Sequence, residues 1–287
     1  MSLRSHIPER LHDASRAAYI RFGTLTASWR IEPSFIMVGA SRAGTTSLFR
    51  ALSAHPAVVR PSVNKGVRYF DLNSFESRDW YRGHFPLRRT AVAQAGACGQ
   101  PAAFEASGYY VFHPLAVPRM AAVLPDVKLV AMFRDPVERA YSAWKHESAR
   151  GFEWEGFERA LELEDDRLLG EADRMARDPA YESFCHRHQS HRSRGEYADQ
   201  LDRMWLHFPR EQVHVMQSEA FFAQPEAEYK RLIDFLGLSS FQPGSFDQHN
   251  ARPSSPMPDS VRRGLEDHYA PFNDRLETML GEPLRWG

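Results

Sequence analysis

The stretch Phe35-Ile36-Met37-Val38-Gly39-Ala40-Ser41-Arg42-Ala43-Gly44-Thr45-Thr46-Ser47-Leu48-Phe49-Arg50-Ala51-Leu52 decides the fold of this chain. Its first four residues are apolar and predict a short buried strand. Apolar residues then recur at helical spacing from Leu48 until the stop at His55-Pro56. A loop with Gly39 and Gly44 separates the two elements. This order predicts a phosphate cradle, because backbone N–H groups and the positive end of the helix point at an anion.

The loop differs from a Walker loop, GxxxxGK[ST], in the position of its cation. Gly39 and Gly44 have the Walker separation, but Thr45 stands where the lysine would be, and Arg42 comes before the second glycine instead. Hydroxyl groups that can add donors follow at Thr45, Thr46 and Ser47. The sequence therefore predicts a loop that holds a phosphate without the usual lysine. An ordinary strand-to-helix turn is the alternative interpretation.

The composition is that of a soluble globular protein, with 287 residues, 43% hydrophobic, 25% charged and a net charge of -1. This balance argues against a nucleic-acid partner. Two cysteines, Cys98 and Cys185, are too few for a disulfide framework and lack metal-ligand spacing. We therefore expect no metal site and a reducing, cytoplasmic location. No apolar run approaches about 18 residues, so we expect no membrane span.

Strands alternate with helices along the chain, which predicts an α/β fold. We expect a P-loop-like, three-layer arrangement with a central, mostly parallel sheet flanked by helices. Clear strands are predicted at 128–133 and 212–216, and a final helix from about 259 to 280. Residues 1–32 carry apolar residues at helical spacing and predict an N-terminal helical extension. Residues 33–287 are expected to form the catalytic domain.

Three connecting segments carry weaker patterns. Val67 and its aromatic neighbours favour an extended segment over 64–71. The run 91–100 contains two glycines and is interpreted as a linker or turn. Residues 150–180 are densely charged and predict a solvated helical excursion, with a lid over an acceptor site as the alternative.

A second motif, Arg134-Asp135-Pro136, follows the strand at 128–133 and begins a helix, since Asp135 suits an N-cap and Pro136 a first turn. Together with the loop at 39–48, this motif resembles sulfotransferases that use 3'-phosphoadenosine-5'-phosphosulfate (PAPS), in their bacterial and heparan-modifying branch. The loop resembles the family's 5'-phosphosulfate loop, and Arg134 with Ser142 resembles its 3'-phosphate motif. Further matches lie at 65–71, 194–201 and 249–257.

The resemblance implies transfer of a sulfuryl group from PAPS to a hydroxyl or amine of a small molecule or sugar, without a metal. It implies a donor site formed by Ser41, Arg42, Ala43, Gly44, Thr45, Thr46, Ser47, Arg134, Ser142, Asn250, Ala251 and Arg252. Arg42 occupies the family's usual lysine place. A guanidinium holds charge but does not hand over a proton, so we expect Arg42 to stabilise the transition state electrostatically. The alternatives are an ion pair of Arg134 with Asp135 or Glu138, a surface role for Ser142 and an exposed loop position for Arg252.

The resemblance leaves the general base of the acceptor open. The family often has a glutamate before a Val-His-Phe-Phe-Asp run, but here Gly66 occupies that place and Arg68 replaces the histidine. Glu105 is the first substitute, with a structural carboxylate as the alternative. His113 is the next candidate, with a capping or core histidine as the alternative. Lys65 is expected to contact the sulfate or acceptor, or else to be solvated.

Two other functions remain open at this point. A P-loop kinase or NTPase is one, although Thr45 in the lysine place argues against it. A catalytically impaired nucleotide-binding protein is the other, because Gly66 lacks the carboxylate. The acceptor pocket is expected from loops 60–90 and 145–195, while the acceptor's identity and the oligomeric state are not specified.

Overall fold

The structure is a computed structural model that describes residues 9–62, 64–246 and 256–286, with the backbone alone over 9–15. The strands of these ranges are β1 Pro33–Gly39, β2 Val58–Val59, β3 Ala102–Ala106, β4 Lys128–Phe133 and β5 Val213–Gln217. The helices are α1 Glu9–Leu25, α2 Thr45–Ala54, α3 Arg78–Arg82, α4 Arg88–Ala95, α5 Ala116–Val123, α6 Pro136–Ala149, α7 Phe157–Glu162, α8 Glu164–Leu168, α9 Glu171–Arg177, α10 Phe184–His188, α11 Tyr197–Trp205, α12 Ser218–Ala223, α13 Pro225–Leu236 and α14 Asp259–Leu280. None of these helices has the length and apolar character needed to cross a membrane.

The strands form one sheet in the order β2-β3-β1-β4-β5, and every pair is parallel. Strand β1 lies in the centre, between β3 and β4. The loops that follow these three strands therefore meet at one edge of the sheet, where ligand sites of open α/β sheets form. The predicted α/β fold with a parallel sheet is confirmed.

Both faces of the sheet are covered, which gives three layers. Alternate residues of β1 point to opposite faces, as the two-residue period of a strand requires. Ile36 and Val38 pack with α5, α11 and α14 in one cluster. Phe35 and Met37 pack with α2, α12 and α13 in the other. The sheet is thus buried on both sides and fixes the positions of its edge loops.

The predicted extended segment at 64–71 is wrong, because this stretch is a loop that turns at Arg68. Arg68 has a φ of 62°, in the left-handed region. Its carbonyl accepts hydrogen bonds from the N–H groups of Leu72 and Asn73 at 3.1 and 3.0 Å. The aromatic side chains that suggested a strand pack instead against other rings, as Phe70 does on Tyr110 with centroids 5.7 Å apart. Burial of these rings, rather than strand pairing, explains the composition.

The linker predicted at 91–100 also needs correction, since α4 continues to Ala95 and only the residues from Gly96 onward form a turn and loop. Ala91 and Ala95 are buried on one side of α4. Alanine favours helix, and that preference outweighs the two glycines that follow. The helical excursion over 150–180 is present as α7, α8 and α9.

Helix α1 and the turn after it pack on α3. A Cβ atom on Gly23 would lie 2.3 Å from the carbonyl oxygen of Gly83, so the two backbones touch. Arg30 is buried, and its guanidinium donates to the carbonyl of Phe85 at 2.5 Å. In return, the guanidinium of Arg82 donates to the carbonyl of Arg30 at 2.8 Å. The division of the chain at residue 32 stays a prediction.

Candidate active site

The loop after β1 ends in a left-handed glycine that starts α2. Gly44 has a φ of 84° and is the N-cap of this helix, which has no side-chain cap. A Cβ atom there would also lie 2.9 Å from the Phe222 ring. The first N–H groups of a helix have no intrahelical acceptor, so the amides of Thr45 and Thr46 face the loop. This arrangement fits an anion.

The helix after β4 is terminated differently. Asp135 caps α6 as predicted, because its Oδ1 accepts from the N–H groups of Val137 and Glu138 at 2.8 and 3.5 Å. Pro136 occupies the first turn. The side chain of Asp135 therefore satisfies the first N–H groups of α6. The residue available for an anion at this end of the sheet is Arg134, just before the cap.

The structure brings Arg42, Arg134 and Ser142 together. Arg42 Nε donates to Ser142 Oγ at 3.0 Å across 100 residues of sequence. Arg134 Nη1 donates to the main-chain carbonyl of Arg42 at 3.4 Å. Arg134 also lies 3.9 Å from Glu138, so the ion pair considered as its alternative partner exists beside this contact. Arg42 has a φ of 71°, which is uncommon for a residue other than glycine and typical of functional loops.

Lys65 lies at the same loop. Its Nζ donates to the carbonyl of Thr45 at 3.2 Å and lies 5.1 Å from the centroid of the Phe49 ring. Burial lowers the pKa of Lys65 to about 8. The ammonium is therefore still mainly charged at neutral pH, and it adds a second cation next to the start of α2.

Glu105 is fully buried beneath the edge of the sheet. Its carboxylate accepts from the Val67 N–H at 2.6 Å and the Tyr81 hydroxyl at 2.8 Å, and the Tyr110 hydroxyl lies at 3.4 Å. Burial raises the pKa of Glu105 to about 7, although these hydrogen bonds act in the opposite direction. A base must come within about 2.6–3.2 Å of the acceptor proton. Glu105 has no exposed surface, and its oxygens already accept from three protein donors. These contacts are those of a structural carboxylate, the alternative to a base.

Gly66, at the family's glutamate position, lies against the sheet. A Cβ atom there would lie 2.4 Å from the carbonyl oxygen of Ala106 and 3.8 Å from Glu105 Oε2. A side chain at residue 66 therefore requires the backbone to shift. Glycine is explained here by close packing.

His113 is a buried capping residue. Its Nδ1 accepts from the N–H of Leu115 at 3.1 Å, just before α5. Burial, with the charges of Arg119 and Arg203, lowers the pKa of His113 to about 3. A neutral imidazole that satisfies a turn fits the structural alternative for this residue.

A cleft of about 300 Å³ opens beside the loop after β1, and we call it the acceptor cleft. Its lining residues are Ser41, Gly66, Arg68, Ala106, Ser107, Gly108, Tyr109, His146, Glu147, Arg150, Arg187, His188 and Arg194. Positive charge predominates, with Glu147 as the one carboxylate among these described residues. The sequence had pointed only to 60–90 and 145–195 as sources of such a cleft. It missed Glu147 and His188, because they are 41 residues apart in sequence and no local pattern indicates that α6 and α10 bring them together.

Two further predictions concern the late loop and a metal site. Asn250, Ala251 and Arg252 lie outside the described residues. Over the ranges that the structure describes, no group of three or more histidine, cysteine, aspartate or glutamate side chains is arranged to hold a metal ion.

Known sulfotransferases are similar to most of this chain. The sequence model of the sulfotransferase domain family matches residues 32–254. The crystal structure of a sulfotransferase from Alicyclobacillus acidocaldarius is 31% identical with a TM-score of 0.66, covering 88% of this chain and 98% of that one. Human heparan sulfate glucosamine 3-O-sulfotransferase 6 is 26% identical, with 89% of this chain and 74% of the relative covered.

Longer relatives also match. The membrane-associated sulfotransferase kil1 of Dictyostelium discoideum is 26% identical over 88% of this chain, which spans 66% of that protein. The chain spans 22% of the bovine bifunctional heparan sulfate N-deacetylase/N-sulfotransferase 2, to which it is 28% identical. The matched domain includes the loop after β1, Arg134 and the acceptor cleft. This chain belongs to the sulfotransferase family.

Proposed function

We propose that this chain transfers a sulfuryl group from PAPS to a hydroxyl or amine of a small molecule or carbohydrate. One observation carries the proposal: the side chain of Arg42 hydrogen-bonds Ser142 while Arg134 donates to the Arg42 carbonyl. The two motifs expected to bind the two ends of one nucleotide are therefore adjacent at one edge of the sheet. A donor with a 5'-phosphosulfate and a 3'-phosphate suits such paired sites.

The residues present fit this donor. The uncapped N-terminus of α2, with the hydroxyls of Thr45, Thr46 and Ser47, would hold the phosphosulfate end. Arg134 and Ser142 would hold the 3'-phosphate by charge-assisted and hydroxyl hydrogen bonds. When bound, the donor supplies an activated sulfuryl group.

Arg42 and Lys65 provide the positive charge of the proposed reaction. Negative charge builds on the oxygen that leaves with the phosphate, and cations fixed in advance stabilise that state more than the ground state. Arg42 lies two residues before Gly44, the N-cap of α2, and Lys65 donates to the carbonyl of Thr45 in its first turn. Because these side chains supply the charge, the proposal includes transfer without a metal. Unchanged turnover in the presence of a chelator is the expected result.

A second candidate is a protein that binds the nucleotide without transferring sulfate. The burial of Glu105 favours this candidate. Glu105 was the first residue considered as a replacement for the family's catalytic glutamate, and it is fully buried. Nucleotide binding is common to both candidates, so turnover distinguishes them.

The test combines a binding and a transfer measurement. We expect calorimetry to give an affinity for adenosine 3',5'-bisphosphate at least about 10-fold above that for adenosine 5'-monophosphate, since one charge-assisted contact contributes about 1.5–3 kcal/mol. Incubation with ³⁵S-labelled PAPS and a panel of phenol, amino-sugar and glycan acceptors should give a labelled product. Equal affinities for the two nucleotides, or magnesium-dependent ATP turnover with no response to PAPS, would overturn the proposal.

The cellular setting belongs to the proposal as well. A cytoplasmic enzyme that tailors natural products is the setting we propose, while one relative is named as membrane-associated. Fractionation of cells that make the chain, followed by assay of each fraction, measures this directly.

A further inference from the structure

His188 and Glu147 form a hydrogen-bonded pair on the wall of the acceptor cleft. His188 ends α10, and Glu147 lies in the last turn of α6. His188 Nδ1 is 2.9 Å from Glu147 Oε2. An ionised carboxylate only accepts hydrogen bonds, so the hydrogen of the pair is assigned to Nδ1. In the neutral ring the lone pair is then on Nε2.

The imidazole of His188 is held in place yet remains reachable. Its ring centroid lies 4.4 Å from that of Phe152 and 5.0 Å from that of Phe184. The side chains of His188 and Glu147 are each 13% exposed. Within the described ranges, no protein group hydrogen-bonds His188 Nε2. The ring thus has a fixed orientation and an unused acceptor in a cleft that also contains Ser41 of the donor loop.

Glu147 is suited to support a positive imidazole. Burial acts to raise the pKa of Glu147, but the hydrogen bond from His188 and the charge of Arg150 outweigh it, so the pKa is lowered. Arg150 Nη1 lies 3.2 Å from both carboxylate oxygens. A carboxylate that stays ionised fixes the tautomer of the histidine and stabilises the imidazolium that forms when the ring takes a proton.

Two other histidines near the cleft are committed elsewhere. His186 is buried, and its Nδ1 is 2.7 Å from the Tyr109 hydroxyl. His191 is 1% exposed and pairs with Glu153 at 3.1 Å. His146 also lines the cleft, but its side chain is 35% exposed against 13% for His188, and its Nε2 lies 3.9 Å from Glu147 Oε1. Of the histidines in the described ranges, His188 combines a fixed ring, an open nitrogen and a place in the cleft.

We propose that His188 is the general base for the acceptor and that Glu147 is its positioning residue, an inference that rests on the proposed function. Nε2 takes the proton from the acceptor hydroxyl or amine. The freed electron pair of that acceptor atom forms the bond to sulfur. The bond from sulfur to the bridging phosphate oxygen breaks, and that oxygen keeps its electron pair. The products are the sulfated acceptor, adenosine 3',5'-bisphosphate and a protonated His188.

The charged groups that face this pair come from several elements. Arg68 precedes α3, His146 and Arg150 belong to the end of α6, Arg187 belongs to α10 and Arg194 follows it. Lys65, whose pKa burial lowers to about 8, also contributes to any pH dependence of the rate, so a pH profile alone does not identify the base. Substitution of His188 itself is therefore the decisive comparison.

The test uses His188→Asn, because the amide of asparagine can keep the bond to Glu147 while Nε2 is removed. His188→Gln is a second variant, and His207→Gln, at an exposed histidine after α11, is the matched control. Donor affinity is measured by calorimetry with adenosine 3',5'-bisphosphate. Transfer from ³⁵S-labelled PAPS is measured to phenol, which is un-ionised at neutral pH, and to water, because both must lose a proton when they attack sulfur.

We expect both His188 variants to lose about 100-fold or more in kcat, the usual contribution of a general base, with nucleotide affinity within about twofold of the parent. Glu147→Gln should lower kcat by a smaller factor and leave the KM for PAPS unchanged. His207→Gln should match the parent.

The outcomes separate this inference from the proposed function. Parental kcat in folded His188→Asn or His188→Gln overturns the inference alone. Failure of the parent chain to bind adenosine 3',5'-bisphosphate overturns the proposed function. A parent that binds the nucleotide but transfers to neither water nor phenol overturns the assignment of a base together with the transfer.

Discussion

The donor loop and the acceptor cleft are neighbours that are built in different ways. The donor loop, residues 40–47, joins β1 to the start of α2, and the groups that we propose to bind the anion are mostly backbone amides at a helix start. The acceptor cleft is formed by side chains from loops and from α6 and α10, with Ser41 shared between the two. A strand and a helix fix the first region, whereas tertiary contacts fix the second. Substitutions should therefore separate transfer, donor binding and stability.

Arg42→Ala should have the largest effect, because it removes the guanidinium expected to stabilise the leaving oxygen. We expect kcat to fall by about 10²–10³, the range for a group that stabilises transition-state charge. The measurement is initial transfer from ³⁵S-labelled PAPS. Arg89→Ala, at an exposed arginine of α4, is the control and should keep the parental rate. Equal rates for the two variants would remove Arg42 from the mechanism.

Arg134→Ala should weaken donor binding more than turnover. Loss of one charge-assisted contact of about 1.5–3 kcal/mol corresponds to about 10- to 100-fold in affinity for adenosine 3',5'-bisphosphate. Calorimetry measures this change, and kcat at saturating PAPS should fall by a smaller factor. An affinity equal to that of the parent would contradict the assignment of Arg134 to the 3'-phosphate.

Gly66→Ala should destabilise the fold at the wall that joins the two regions. The new Cβ would lie 2.4 Å from the Ala106 carbonyl, and such overpacking costs about 1–3 kcal/mol in the free energy of unfolding. Gly264→Ala is the control, since a Cβ in this part of α14 meets nothing within 4 Å. Alanine favours helix, so that variant should be neutral or more stable in urea denaturation. Equal stability of the two variants would show that residue 66 is not crowded.

Glu105→Gln should have the smallest effect on transfer, within about threefold of the parent, because a neutral amide can accept from Val67 and donate to Tyr81 in the same place. Its effect should appear in the pH dependence of stability. Burial raises the pKa of Glu105 from 4.5 to about 7 and that of Asp71 from 3.8 to about 6. The folded chain then binds these protons more tightly than the unfolded chain does.

The sign of this dependence follows from proton linkage. The stabilisation is fully present below the unfolded pKa values and is lost as the pH rises through about 6 and 7. The Tm of the parent should therefore fall between about pH 5 and 7, and Glu105→Gln should flatten part of that fall. A parallel Tm profile would contradict the raised pKa, and loss of transfer would return Glu105 to the candidate bases.

Sequence reasoning reached the donor side because its signals are local. The strand at 128–133, the Asp135 cap and the helix at 259–280 each depend on neighbouring residues, and each is confirmed. Arg42 and Ser142 were assigned to two separate phosphate sites, and their direct contact is seen only in the structure. The loop at 64–71 was predicted as an extended segment because Val67, Tyr69 and Phe70 favour strands. In the structure these side chains pack in the core, and their backbone pairs with no strand of the described residues. The burial of Glu105 depends on Tyr81 and Tyr110, which no local pattern reveals.

The close approach of Gly23 to Gly83 has a practical consequence for anyone who prepares a shortened protein. The family match begins at residue 32, so a recombinant fragment designed on that boundary would start there. Such a fragment would lose the side chain of Arg30 and leave the Phe85 carbonyl and the α3 backbone uncovered. The fragment should express poorly or melt early even with every expected donor-binding residue intact. Vectors for this protein should therefore retain the leading helix.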